Sequence, residues 1–395
     1  MTSTRFTFLT LVVIVCMAGI SQGLTLPLLA ILLEQQGVSS VANGLNAAGL
    51  YMGSFLVSPL MEIVLRRFGF RTTVVIGLCL VAAATVMLPF LQGLIFWFIL
   101  RIIIGIGDTF LHFTSQIWVT TISPPDRRGR DLSIYGLAYG IGFSIGPLGI
   151  NLLSLGVWVP FVTVTLIFLF AFILLGRLPN LYPEPAARTA GGENRYTAVF
   201  RLAWLALIPS FLYGFMESSL NGNFPVYALR IGVSPEWVSV ILPAFVVGSL
   251  FLQLPLGTLS DRIGRKKVMI ICALAGGTAF ALFPLAGKAV WLMIVLLAVA
   301  GAAVGSFYSL GLAFAADLLP RGMVPTAGMI AGMNFALASM LAPNLNGYLL
   351  DFTGPGTMFL VMGGLLGVFA LLGLFFRERR AEKAHENVMA SQPAD

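Results

Sequence analysis

Residues Arg101 to Gln116 read RIIIGIGDTFLHFTSQ and lie inside a long apolar run. On a helix, Arg101 and Asp108 differ by about 20° in angle and roughly 10 Å in rise. His112 and Gln116 follow at four-residue steps, so all four share one face, with Ile, Leu, Phe and Val opposite. An ionised side chain in lipid costs about 2.5 kcal/mol or more, so that face must turn toward protein or water. The stretch reads as one wall of a polar cavity inside a membrane.

Composition agrees. The chain has 395 residues, 58% hydrophobic and only 10% charged, far below the roughly 25% charge of soluble domains. Apolar runs of span length recur throughout, which predicts an all-α polytopic membrane protein. No segment alternates with the period of two that a barrel needs. Cys16, Cys79 and Cys272 sit in apolar runs and read as small buried hydrophobes. No Cys/His cluster has metal-ligand spacing, so no metal or cofactor is expected. The net charge of +7 sits in short clusters between apolar runs, which topology explains better than nucleic acid.

Twelve spans are predicted, near 6–33, 47–65, 72–91, 94–122, 132–155, 157–175, 202–229, 237–259, 268–285, 290–318, 323–350 and 358–376. The first is too long for a secretory signal and has a counterpart later in the chain. A Pro-, Gly- and charge-rich stretch reads as a linker. The expected organisation is a six-helix bundle over 1–177, a cytoplasmic linker over 178–200, a second bundle over 201–376 and a cytoplasmic tail over 377–395. Of the 23 Lys and Arg residues, 20 fall at the termini and in the connections after spans 2, 4, 6, 8 and 10. Only Arg230 and Lys288 fall on the other side. The positive-inside rule then puts both termini in the cytoplasm, which requires an even number of spans.

The chain also repeats at an offset of 195 residues. Gly37-Val38-Ser39, Gly53-Ser54, Arg67 and Gly69 match Gly232-Val233-Ser234, Gly248-Ser249, Arg262 and Gly264. Pro125 likewise matches Pro320. Two parallel copies of six spans suit a transporter whose pseudo-symmetric halves rock about a central cavity.

The connection Gly257 to Lys267, GTLSDRIGRKK, resembles the cytoplasmic loop signature of the major facilitator superfamily at Gly257, Asp261, Arg262, Gly264 and Arg265. The resemblance implies a gating loop, in which glycine lets helices approach and charged groups hold one conformation. Asp317 at the inner end of span 10 belongs with it. In the first half the repeat puts Glu62 at the Gly position, Arg66 at the Asp position and Phe70 at the second Arg position. A latch there would pair Glu62 with Arg66 or Arg67. Arg101-x-x-x-Gly105-x-Gly107 is similar to a fourth-helix motif of the drug:proton antiporter branch, where the arginine is linked to proton transfer. Gly142-x-x-x-Gly146-Pro147 is similar to that branch's antiporter motif in part. Its small residues let helices pack closely and its proline bends the helix.

The resemblance implies that helices 1, 4, 7 and 10 line the cavity. They supply Ser21, Gln22 and Thr25; Arg101, Asp108, His112 and Gln116; Tyr213, Glu217 and Asn221; and Ser306, Tyr308 and Ser309. Asn334 from span 11 joins the cavity set. Glu217 sits near mid-span, where a carboxyl can take and give a proton. Asp108 and Glu217 are the expected proton carriers, Arg101 tunes Asp108, and His112 partners it. The rival reading is a structural network locking two helices. Glu34 and Asp351 lie near outer ends and are expected to be solvated.

The expectation is a monomeric, multi-pass carrier of the cell membrane, exporting small amphipathic compounds against a proton gradient. Its rivals are a carrier of one metabolite (a sugar, amino acid or siderophore), a lipid flippase, and a membrane sensor that transports nothing. No nucleotide loop or nucleophile–base pair is visible, so an enzyme is not expected.

Overall fold

The computed structural model describes residues 4–91, 93–124, 127–183, 195–320 and 323–376. The expected tail over 377–395 and much of the linker lie outside these, as does Pro125, so the boundaries drawn there are our proposal. The described residues form fourteen α-helices. These are α1 (Thr4–Gln35), α2 (Ser40–Val57), α3 (Met61–Met87), α4 (Leu94–Ile122), α5 (Arg128–Ile145), α6 (Val159–Leu175) and α7 (Arg195–Gly222). They continue with α8 (Phe224–Arg230), α9 (Pro235–Ile263), α10 (Arg265–Leu282), α11 (Val290–Val304), α12 (Phe307–Leu318), α13 (Val324–Phe352) and α14 (Thr357–Phe375).

Fourteen helices make twelve spans. Ten helical stretches are long and apolar enough to cross a membrane, and α6 is a shorter apolar helix. One of the ten, Ser40–Met87, is 48 residues long, and the chain reverses within it. α2 runs beside α4 in the same direction, because Asn46 Nδ2 donates to Leu94 O (3.1 Å) and Ser54 Oγ to Gly105 O (3.1 Å). α3 runs against α4, because Trp97 Nε1 donates to Leu88 O (3.0 Å) while Phe70 stacks on Trp118. The turn is at Gly69, where φ is 77° and a side chain would be strained. Gly264, 195 residues on, turns the chain between α9 and α10 with φ of 99°.

Two predicted continuous spans are broken. Span 7 is α7 followed by α8, with Pro225 in the first turn of α8. Span 10 is α11 followed by α12, parted at Gly305, which lies so close to Ser249 that a Cβ would collide with it. Span 5 ends as a 3-10 helix, Gly146–Leu155, with Pro147 in its first turn.

Backbones approach closely where small residues allow it. A Cβ on Gly142 would collide with the Cys16 carbonyl, and one on Gly146 with the Ile20 carbonyl, so α5 lies directly on α1. Gly53 and Gly105 do the same for α2 and α4, and Gly248 and Gly301 for α9 and α11. Lipid offers no hydrophobic drive for helix association, so close dispersion contact carries this packing.

The two halves pack closely at one end. There Gly44 of α2 lies against the Pro343 carbonyl of α13, and Gly347 of α13 against the Ser40 carbonyl. Asn151 Nδ2 donates to Ser239 Oγ (3.1 Å), joining the 3-10 helix to α9. At the other end, which carries the Arg-rich connections at Gly69 and Gly264, Gly136, Gly257 and Gly328 have no atom within 4 Å of where a Cβ would sit. Among the described residues, these faces of α5, α9 and α13 thus have open space beside them at the basic end.

The expectation that Glu34 and Asp351 are solvated is corrected here. Arg230 Nε lies 2.9 Å from Glu34, and its Nη2 lies 3.0 Å from Asp351. Asp351 also accepts from the Val41 backbone N–H (3.1 Å). Sequence placed these groups at outer ends but could not show that α1, α2, α8 and α13 bring them together.

Candidate functional site

Between the halves lies a cavity of roughly 650 Å3. Asp108, His112 and Gln116 line it from α4, Gln22 from α1, Tyr213, Glu217 and Asn221 from α7, and Tyr308 and Ser309 from α12. The four-residue spacings put these groups on common helix faces, as expected. Asp108 thus comes from the first six spans and Glu217 from the second, and both face one space. Phe113, Phe143, Phe245 and Phe335 supply much of the remaining wall.

Five predicted residues lie elsewhere, and two of them, Ser21 and Ser306, are simply buried away from the cavity. Arg101 is 1% exposed, does not line the cavity, and its guanidinium nitrogens have no hydrogen-bond partner. It stands two turns from Asp108 on α4, within electrostatic reach of Tyr51. Thr25 is buried and its hydroxyl donates to the Ser21 carbonyl (2.8 Å), as a helical threonine does when no outside partner is near. Asn334 Nδ2 donates to Leu207 O (3.2 Å), bracing α13 on α7. The expected pairing of His112 with Asp108 is also absent. His112 Nε2 has no partner, and its ring stands edge-on to Tyr139 at 4.9 Å. Neither carboxylate oxygen of Asp108 is hydrogen-bonded.

Tyr51 and Tyr139 were not singled out from sequence, because they lie on spans 2 and 5. Tyr51 lines the cavity within electrostatic reach of Arg101, Asp108 and Glu217. Tyr139 lines it too and donates to Gln22 Oε1 (2.7 Å). Tyr135 and Tyr139 are four residues apart among glycines, a pattern that does put two hydroxyls on one face.

The model of the Major Facilitator Superfamily matches residues 11–243 and 206–393. This chain belongs to that superfamily. A Bacillus subtilis (strain 168) protein, the uncharacterized MFS-type transporter YfkF, is 40% identical over 377 residues, which covers 94% of this chain and 95% of that one. The uncharacterized MFS-type transporter YcaD of Escherichia fergusonii is 22% identical over 344 residues, 83% of this chain and 85% of that one. Among solved structures, the nucleoside transporter NupG has a TM-score of 0.76 at 16% identity, covering 95% of this chain and 100% of that one. A bacterial homologue of the human lysosomal transporter Spinster, in an inward-facing and unoccupied conformation, has a TM-score of 0.67 at 15% identity, covering 94% and 95%. These likenesses establish the twelve-helix fold of a membrane transporter.

In this major facilitator the predicted gating loop is an ion cluster. Arg265 lies 2.8 Å from Asp261 on the preceding helix and 2.6 Å from Asp317 on α12. Arg262 is exposed, and a Cβ added to Gly257 would meet open space, so the expected close approach of another helix there is not made. In the first half Glu62 pairs with Arg66 at 2.8 Å, both well exposed, while Arg67 stands over Phe68. The first-half turn is held by a residue the sequence did not mark. Asn180 Oδ1 accepts from the Arg71 N–H (2.9 Å), and its Nδ2 donates to Phe68 O (2.9 Å) and Thr72 Oγ1 (3.1 Å). The chain after span 6 thereby clamps the turn at Gly69. Gly142 and Gly146 of the antiporter-like motif form the α1 contact, and Pro147 lines the cavity.

Proposed function

We propose that this transporter is a proton-coupled antiporter that exports small amphipathic compounds, with Asp108 and Glu217 carrying the protons. One observation carries the reading: a carboxyl from each half faces the same cavity, whose wall includes four phenylalanines and four tyrosines. A buried carboxyl that lacks a fixed cationic partner can exchange a proton with bound cargo. Two such groups favour cationic or neutral cargo over anions. Phenylalanine and tyrosine walls accept varied apolar bodies, while Gln22, Gln116 and Asn221 give polar points of contact. With the basic end in the cytoplasm, as the charge distribution implies, the cavity is open inward and loads from inside. On this reading the protein is a monomer in the cell membrane, with protons and a small molecule as its partners and no resident cofactor.

The test is ethidium transport in proteoliposomes with and without a pH gradient, for wild type, Glu217→Gln and Asp108→Asn. We expect gradient-dependent transport that each substitution reduces at least tenfold. Normal coupled transport in both variants would remove these residues from the mechanism.

A carrier of one polar metabolite is the second reading. The amide groups of Gln22, Gln116, Asn221 and Gln253 beside aromatic rings favour it, as does the likeness in fold to a nucleoside transporter. Saturable binding of one nucleoside by the purified protein, with no ethidium transport, would decide for it.

A further inference from the structure

Tyr139 of α5, Gln22 of α1 and Asp108 of α4 all line the cavity. Tyr139 Oη donates to Gln22 Oε1 at 2.7 Å. Gln22 also faces the Asp108 carboxyl without closing a hydrogen bond to it. A carboxylate can only accept, so the amide nitrogen belongs on its side and the amide oxygen on the tyrosine's. The tyrosine ring is itself fixed. The His112 imidazole meets it edge-on, and the Gly142 and Gly146 contacts set α5 on α1 at one distance. From these relations we propose that Tyr139 is a positioning residue: by holding the Gln22 amide oxygen it presents an N–H donor to Asp108.

The inference rests on Asp108 as a proton carrier and gives that group its setting. Titratable groups face Asp108 from several helices: Tyr51 on α2, His112 on α4 and Tyr139 on α5, with Glu217 of α7 lining the same cavity and Arg101 two turns away on α4. None of them is hydrogen-bonded to the carboxyl. Gln22 is thus the neutral donor poised over it, and rotation of that amide would replace a donor by an acceptor. A small movement of α1 or α5 therefore changes how the carboxylate is stabilised.

The test is an infrared titration of the purified protein in liposomes, which needs no substrate. The protonated-carboxyl band lost in Asp108→Asn belongs to Asp108. In Tyr139→Phe, which keeps the ring against His112, that band should titrate at a midpoint displaced by about one pH unit, the size of the charge-assisted hydrogen bond that the oriented amide would make to the ionised carboxylate. Gln22→Leu, which removes the donor itself, should displace it as far. A displaced midpoint in Gln22→Leu with an unchanged one in Tyr139→Phe overturns the positioning role. An unchanged midpoint in both removes Gln22 as well. If Asp108→Asn removes no band, Asp108 is not a proton carrier, and the antiport reading fails first.

Discussion

Arg230 Nε lies 2.9 Å from Glu34 Oε1, and this contact ties the second half of the molecule to the first at its closed end. The same guanidinium reaches Asp351 and donates to the Leu350 carbonyl (3.1 Å). The side chains of Glu34 and Asp351 are each 17% exposed, so the pairs are partly shielded but not dry. Each pair contributes on the order of 1 kcal/mol or less. Arg230→Ala removes both pairs and should therefore shift the balance toward the state open at this end by up to about thirtyfold. A single cysteine placed at Ser40, buried in the closed end, should react faster with a thiol reagent in the Arg230→Ala background. Equal rates would mean that glycine packing alone keeps this end shut.

Gly142 has no room for a side chain, since a Cβ would meet the Cys16 carbonyl. Gly142→Val should push α5 off α1 at a cost of about 1–3 kcal/mol. Thermal unfolding of the detergent-solubilised protein checks this. Gly136→Val, at a position with open space, is the matched control and should unfold near the wild-type temperature.

Asn180 caps the helix that follows Gly69, as an N-cap side chain does. Asn180→Ala should cost about 1 kcal/mol. It should also increase hydrogen exchange at the Arg71 and Thr72 amides, which mass spectrometry reads directly. Unchanged exchange there would show that the turn does not depend on the clamp.

Arg265 joins Asp261 and Asp317, but both carboxylates are more than half exposed. Arg265→Ala should change overall stability by less than about 1 kcal/mol. What it should alter is conformational bias. A cysteine at Gly257, open in this state, should label at a different rate in Arg265→Ala than in wild type. The same rate in both would reduce the cluster to surface decoration.

Much of this was legible beforehand because membrane solvation leaves strong marks. Twelve spans follow from apolar runs and from where arginine falls. Gly69 and Gly264 announced themselves through the repeat, and the structure places both at left-handed turns. The α7 face of Tyr213, Glu217 and Asn221 followed from four-residue spacing alone. Arg101 did not follow. Seven residues from Asp108 is nearly the same angle but also about 10 Å along the axis, and the cavity does not extend that far. Glu34 and Asp351 misled because pairing across 196 and 121 residues of chain from Arg230 leaves no local trace. Tyr139 was missed because cavity lining was assigned by span number, whereas Gly142 and Gly146 bring span 5 close enough to contribute a hydroxyl.

The glycines at the open end have a meaning that a single state hides. α2 and α13 run antiparallel, with position 44 at 343 and 40 at 347, and α5 with its 3-10 extension meets α9 with 140 at 250 and 151 at 239. Continued inward, the first register sets Pro59 opposite Gly328 and Phe55 opposite Gly332, and the second sets Gly136 opposite Leu254. Every one of these meetings has a bulky residue on one strip and a bare backbone on the other. On the alternating-access reading proposed above, the uncovered surface is thus the unfilled half of a mould, shaped for a seam that the opposite conformation would close.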